Sequence, residues 1–127
     1  MKYLMDVNTL VAWHHTIPTD KHTRIHEWRR RANPLLVSTC AICELGFVRI
    51  SMSAYGYDRE MAQRALERLK RDMPGYIDSL PSPVFAQWVL SHKHTTDAYL
   101  CQLAAANGMK LATFDAGIKD AAAFLIP

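Results

Sequence analysis

Short apolar runs that pass directly into helical sequence constrain this chain more than any other feature. Lys2 to Asp6 reads as a buried strand ending at an acid, and Asn8-Thr9-Leu10-Val11-Ala12-Trp13 follows at once as the opening of a helix. Leu35-Leu36-Val37 makes a second compact strand, and Ser38 or Thr39 caps the helix that follows it. Met109 to Phe114 is a third strand, ending at Asp115, and Phe124-Leu125-Ile126 suits a sheet edge. Strands that alternate with helices need crossovers, and crossovers make a mostly parallel sheet covered on both faces. The expected fold is therefore α/β, a three-layer α/β/α sandwich of Rossmann-like type. At 127 residues the chain forms one domain, 1–127, large enough to bury a core without disulfide or zinc support.

The intervening helices carry recognisable boundaries. Thr19 or Asp20 caps a helix running to about Arg31, with Ile25 and Trp28 turned inward, and Asn33-Pro34 stops it. In the helix that carries Glu44, the residues Leu45, Val48 and Ile50 are expected to face the core. Tyr55-Gly56-Tyr57 breaks the chain, and Asp58 caps a strongly charged helix from about Arg59 to Asp72, ended by Pro74-Gly75. Tyr76 to Leu80 fits a short strand. Ser82-Pro83 has the cap-plus-first-position pattern of a helix to about Ser91. Thr95 or Thr96 caps a last helix, Asp97 to Asn107, closed by Gly108.

Against this frame the carboxylates divide into two kinds. Asp20, Glu27, Glu60, Glu67 and Asp72 lie among Lys and Arg, where a solvated helix face explains them. Asp6, Glu44, Asp97 and Asp115 instead lie in apolar or small-residue segments. An ionised carboxylate there is costly without a partner, and those segments hold no matching set of Lys or Arg. Asp6 and Asp115 end strands, and Glu44 and Asp97 open helices at the same edge. In parallel sheets ligands bind beyond the carboxyl ends of the strands, so the four acids are expected to converge. Two carboxylates 4 Å apart repel by about 4 kcal/mol at an effective dielectric of 20. A hard divalent cation, Mg²⁺ or Mn²⁺, relieves that repulsion using oxygen ligands alone. Such an ion lowers the pKa of bound water and stabilises a leaving oxygen, which points to metal-dependent hydrolysis at phosphorus. Asn8, Thr95, Thr96 and Thr113 carry side chains suited to holding a carboxylate or water in place around the acids.

Composition narrows the alternatives. A hydrophobic share of 50% excludes a disordered chain, and a net charge of +3 permits a nucleic-acid partner without requiring one. Basic residues concentrate in Arg29-Arg30-Arg31 and in Arg64, Arg68, Lys70 and Arg71. With Arg49 beyond Glu44, the arginine run Arg29, Arg30 and Arg31 supplies the expected phosphate contacts to a nucleic acid, although solvated helix faces explain such clusters equally well. Cys40-x-x-Cys43 has no second pair at zinc-ribbon spacing. No secretory leader or membrane span is visible in the sequence, so a soluble cytoplasmic protein is expected. His22 and His26, four apart, read as solvated helix histidines, while Trp13, Trp28 and Trp88 read as packing residues before base-stacking ones. His92 and His94 stand close enough to Asp97 to touch phosphate.

The segments Met5-Asp6-Val7-Asn8-Thr9-Leu10, Thr39-Cys40-Ala41-Ile42-Cys43-Glu44-Leu45-Gly46-Phe47-Val48-Arg49-Ile50, Thr96-Asp97-Ala98-Tyr99-Leu100 and Leu111-Ala112-Thr113-Phe114-Asp115 together resemble the PIN domain, in order and spacing. More narrowly they resemble VapC-type toxins of bacterial toxin-antitoxin pairs, across essentially the whole chain. The resemblance implies a Mg²⁺- or Mn²⁺-dependent endoribonuclease with Asp6, Glu44, Asp97 and Asp115 as its catalytic and metal-holding acids. It further implies a structured RNA substrate such as transfer or ribosomal RNA, a cognate antitoxin that occupies the groove, and a homodimer. The competing reading is a PIN-fold module that binds RNA or protein without cutting. A receiver domain lacks support because its adjacent acidic pair and its Lys after the last strand are absent. A haloacid-dehalogenase-type phosphatase needs Asp-x-Asp where this chain has Asp6-Val7-Asn8.

Overall fold

The computed structural model describes residues 1–15, 20–33 and 36–127. Its sheet contains β1 (Lys2–Met5), β2 (Val37–Cys40), β3 (Gly75–Ile77), β4 (Met109–Thr113) and β5 (Ala123–Leu125), in the order β3-β2-β1-β4-β5. Every pairing is parallel. The chain steps outward from β1 to β2 and β3, then crosses back to β4 and β5, so the direction of winding reverses between β1 and β4. That reversal opens a crevice at the carboxyl edge, where Asp6 and Asp115 emerge.

Helices α1 (Val7–His14), α2 (Asp20–Arg31), α3 (Ala41–Tyr55) and α4 (Arg59–Asp72) pack side by side as one layer. Helix α5 (Thr95–Ala106), preceded by a 3-10 turn at His92–His94, packs on β1 and β4. Right-handed crossovers put it on the opposite face from the first four. Burial agrees with a sheet covered on both sides: the neighbours Leu4 and Met5 point to opposite faces, and both are fully buried. Ile25 and Trp28 are buried, as the sequence predicts, while Thr19 and Leu35 lie outside the described residues.

Several local expectations are corrected. Strand β2 starts at Val37 and includes Ser38, Thr39 and Cys40, so the N-cap of α3 is Cys40, without a side-chain cap bond. The hydroxyl of Thr39 is committed elsewhere, to the carboxylate of Glu44. The inward face of α3 is then Cys43, Glu44, Gly46, Phe47 and Ser51, whereas Leu45 is 66% exposed and Val48 and Ile50 are only half-buried. Starting the helix at Ala41 sets this phase. Gly46 enforces it, because a Cβ there would lie 2.7 Å from a Val7 methyl group, and its absence lets α3 rest directly on α1.

Residues 82–91 do not form the expected helix. Side chains of α5 claim the backbone of this stretch first: Gln102 accepts the Val84 N–H at 2.8 Å and donates to the Ser82 carbonyl at 3.0 Å, and Tyr99 donates to the Pro81 carbonyl at 2.6 Å. Val84, Phe85 and Leu90 remain exposed, so a helix there would have no apolar face to bury. The expected strand Tyr76 to Leu80 is shorter and earlier, Gly75–Ile77. The expected Thr95 or Thr96 cap is also replaced: α5 begins at Thr95, its N-cap is His94 without a side-chain bond, and the Thr95 hydroxyl donates to the His92 carbonyl at 2.8 Å. At two other boundaries the predicted signals hold. Asp58 caps α4 by accepting the Met61 N–H at 2.8 Å, and Gly56 ends α3 in the left-handed region at φ 68°.

Candidate active site

Asp6 ends β1 and caps α1, and its position is fixed by both roles. Its backbone N–H donates to the Ala112 carbonyl at 3.1 Å, tying it to β4, while its Oδ1 accepts the Val7 N–H at 2.8 Å. Its Oδ2 accepts the Thr113 hydroxyl at 2.8 Å. The same hydroxyl oxygen accepts the backbone N–H of Asp115 at 3.0 Å, and Asp115 Oδ1 takes the Gly117 N–H at 2.7 Å. One buried threonine therefore ties the Asp6 carboxylate to the backbone N–H of Asp115.

Asp97, in the first turn of α5, faces the same pair. Its pKa is raised to about 6, first by burial and then by the negative charges of Asp6 and Asp115, with His94 opposing the shift. Asp6 is raised too, mainly by burial, against the hydrogen bonds from Thr113 and Val7, with Asp115 adding to the rise. The structure thus brings Asp6, Asp97 and Asp115 within electrostatic reach of one another.

Glu44 sits at the margin of this trio in a different environment. It is buried at 8% exposure, accepts the Thr39 hydroxyl, and has Lys70 Nζ 3.5 Å from its Oε1. The Cys43 thiol is the neighbour it shares with Asp6. That thiol is pushed well up by its hydrogen bond with Cys40 and by burial, with smaller contributions from the Cys40, Asp6 and Glu44 charges. Among the described residues no three His, Cys, Asp or Glu side chains already converge closely enough to grip an ion. The donors at the crevice are nonetheless carboxylate and hydroxyl oxygens whose charges oppose one another, which is the donor chemistry that a hard divalent cation suits.

The remaining candidates fall in separate places. Asn8 is exposed on α1. Thr96 is exposed and lines a recess of about 270 Å³ with Ile42, Pro83, Phe85, Thr95 and Tyr99, beside Asp97 at the start of α5. Arg29 lies 3.6 Å over the Trp13 ring, with Asp72 3.8 Å away. Arg31 shares a surface hollow with Met1 and Tyr3, at the amino edge of the sheet and away from the acids. Arg30 lies between them on the same last turn of α2. Arg49 is exposed on the outer face of α3, among Leu45, Val48 and Met52. Sequence reasoning left Lys70 on a basic helix face. No local signal pairs it with Glu44, because Lys70 is exposed on a helix whose inward residues are Ala62, Ala65 and Leu69.

Comparison with known proteins adds an independent line. The PIN-domain family profile matches residues 3–123. The chain belongs to the PIN-domain family. Within it, the chain is 35% identical to Ribonuclease VapC38 of Mycobacterium tuberculosis (strain ATCC 25618 / H37Rv), over 91% of this chain and 86% of the relative. This PIN-domain protein is therefore of VapC type, in agreement with the family resemblance carried by its sequence motifs. No helix among the described residues is long and apolar enough to cross a membrane.

Proposed function

We propose that this PIN-domain protein is a Mg²⁺- or Mn²⁺-dependent endoribonuclease toxin that hydrolyses phosphodiester bonds in RNA and is silenced by a cognate antitoxin. The observation that carries the reading is the Thr113 hydroxyl joining Asp6 to Asp115 at the reversal point of a parallel sheet, with Asp97 facing them. Asp6, Asp97 and Asp115 would hold the cation, with Glu44 completing the set. When bound, the ion supplies a water of lowered pKa and charge stabilisation for the leaving oxygen.

The chain's own part is placement. Thr113 and the Val7 N–H hold the Asp6 carboxylate against rotation, and the Gly117 N–H holds that of Asp115. The recess beside Asp97 offers the rings of Phe85 and Tyr99 as apolar surface for a base next to the scissile bond. Thr96 sits on its rim, and Asn8 at the start of α1 is free to reach a water or phosphate. Transfer or ribosomal RNA is the proposed substrate class, and the cytoplasm the proposed site of action. Of the basic candidates, Arg49 lies on the helix that bears Glu44, whereas Arg29, Arg30 and Arg31 suit the far end of a long structured RNA. The exposed Leu45 and Met52 on α3, with half-buried Val48 between them, are the proposed homodimer contact.

One observation favours the non-cutting alternative: Lys70 already neutralises Glu44. Cleavage of purified transfer and ribosomal RNA, with ends mapped by sequencing, separates the two. Cuts that need Mg²⁺ or Mn²⁺ and vanish in chelator are expected from the nuclease, and RNA binding without new ends from the alternative.

A further inference from the structure

Four side chains from four different elements meet beside Glu44. Thr39 lies on β2 and its register partner Tyr76 on β3, so both side chains project from the same face of the sheet. Glu44 descends from the first turn of α3 and accepts the Thr39 hydroxyl. Lys70 reaches back from the last turn of α4, with its Nζ 3.5 Å from Glu44 Oε1 and 4.8 Å from the centre of the Tyr76 ring. The Glu44 side chain is 10% exposed and that of Lys70 is 46% exposed, so the carboxylate is fixed while the ammonium stands at the solvent boundary.

This arrangement differs from an ordinary surface ion pair. The aromatic face and the buried carboxylate attract the same cation from two sides, which holds an otherwise mobile lysine in one place. A buried carboxylate cannot readily give up its partner without another cation to replace it. An ammonium against Glu44 Oε1 disfavours a divalent cation at the same carboxylate, because like charges a few ångströms apart repel in a partly buried site.

We propose that Lys70 is a positioning residue that acts as a built-in competitor of the divalent cation at Glu44. The proposal rests on the metal-dependent reading above. Lys70 holds the Glu44 carboxylate turned toward α4, so that a cation held by Asp6, Asp97 and Asp115 gains Glu44 only by displacing the ammonium. Once displaced, Lys70 stands at the solvent boundary beside the acids, where its charge faces the phosphates of a bound strand.

The probe is Mn²⁺ alone, titrated into the full chain by calorimetry at fixed pH and ionic strength, without RNA. Lys70→Gln is expected to tighten Mn²⁺ binding by roughly tenfold, Lys70→Arg to stay within twofold of the wild type, and Lys110→Gln, on β4, to change nothing. Unchanged or weaker Mn²⁺ binding by a folded Lys70→Gln protein overturns the proposal. Tyr76→Leu provides a second variant that leaves the ion pair intact but removes the aromatic hold. It should tighten Mn²⁺ binding by a smaller factor, and no gain at all also counts against the proposal. Failure of the underlying reading looks different: the wild type then binds no Mn²⁺, or Asp6→Asn binds it as tightly as the wild type.

Discussion

Glu44 and Asp97 occupy nearly equivalent places, each in the first turn of a helix that opens at the carboxyl edge of the sheet, yet the protein treats their charges in opposite ways. Glu44 is deeply buried and compensated from within, by the Thr39 hydroxyl and the Lys70 ammonium. Asp97 is half-buried and faces two more carboxylates, and its pKa rises to about 6. A fold that only needed to cap two helices could have treated them alike. On the metal-dependent reading proposed above, a cation completes the compensation that Thr113, Val7 and His94 only begin at the aspartate trio, while Glu44 is kept in reserve.

The largest effect that sharpens this contrast is on catalysis. Asp6→Asn keeps shape and most hydrogen bonds but removes a charge from the trio, and RNA cleavage should fall by a factor of roughly 10³ or more with the fold intact. Single-turnover cleavage measured beside circular dichroism checks it, and near-normal cleavage would remove Asp6 from the site. A smaller effect concerns the contact that keeps the two environments adjacent. Gly46→Ala drives a methyl group into Val7, the residue after Asp6, and should cost about 1–3 kcal/mol in urea unfolding while separating α3 from α1. If stability is unchanged, the close approach of the two helices is not what positions Glu44.

The smallest effect is on pH dependence and needs its sign stated. The folded-state pKa of Asp97 is raised, so in chelator the fold binds more protons than the unfolded chain between about pH 4 and 6, and stability falls as pH rises through that window. After discount for partial exposure the loss is on the order of 1 kcal/mol. His15 works in the opposite direction. It is buried, stacked 3.6 Å on Tyr55 and lowered to about 4, first by burial and then by His14, so its contribution is lost as pH falls from 6.5 towards 4. Urea melts of Asp97→Asn and His15→Phe against the wild type should therefore diverge in opposite senses across this range. Parallel curves would mean that neither environment is as described.

Much of this was legible beforehand because strand ends and helix starts are local. The apolar run ending at Asp6, the Asp58 cap and the Gly56 and Gly108 terminators each signal their structure within a few residues, and the parallel order follows from their alternation. The phase of α3 was not legible, because it depends on Thr39 choosing Glu44 over a capping role and on Gly46 meeting Val7, a contact between separate helices. The stretch 82–91 carried a sound helix start in Ser82-Pro83, but the competing hydrogen bonds come from Gln102 and Tyr99 on another element. Lys70 belongs with Glu44 only after α3 and α4 fold against each other. Nothing within a window around either residue announces the pair.

Thermal unfolding of the wild type and of Asp97→Asn, each in chelator and in saturating Mn²⁺, tests the central contrast most directly. If the trio is compensated from outside, Mn²⁺ raises the wild-type Tm, Asp97→Asn has a higher Tm than the wild type in chelator at pH 7.5, and the variant loses most of its response to Mn²⁺. A wild-type Tm indifferent to Mn²⁺, together with an Asp97→Asn protein no more stable than the wild type in chelator, would contradict the account.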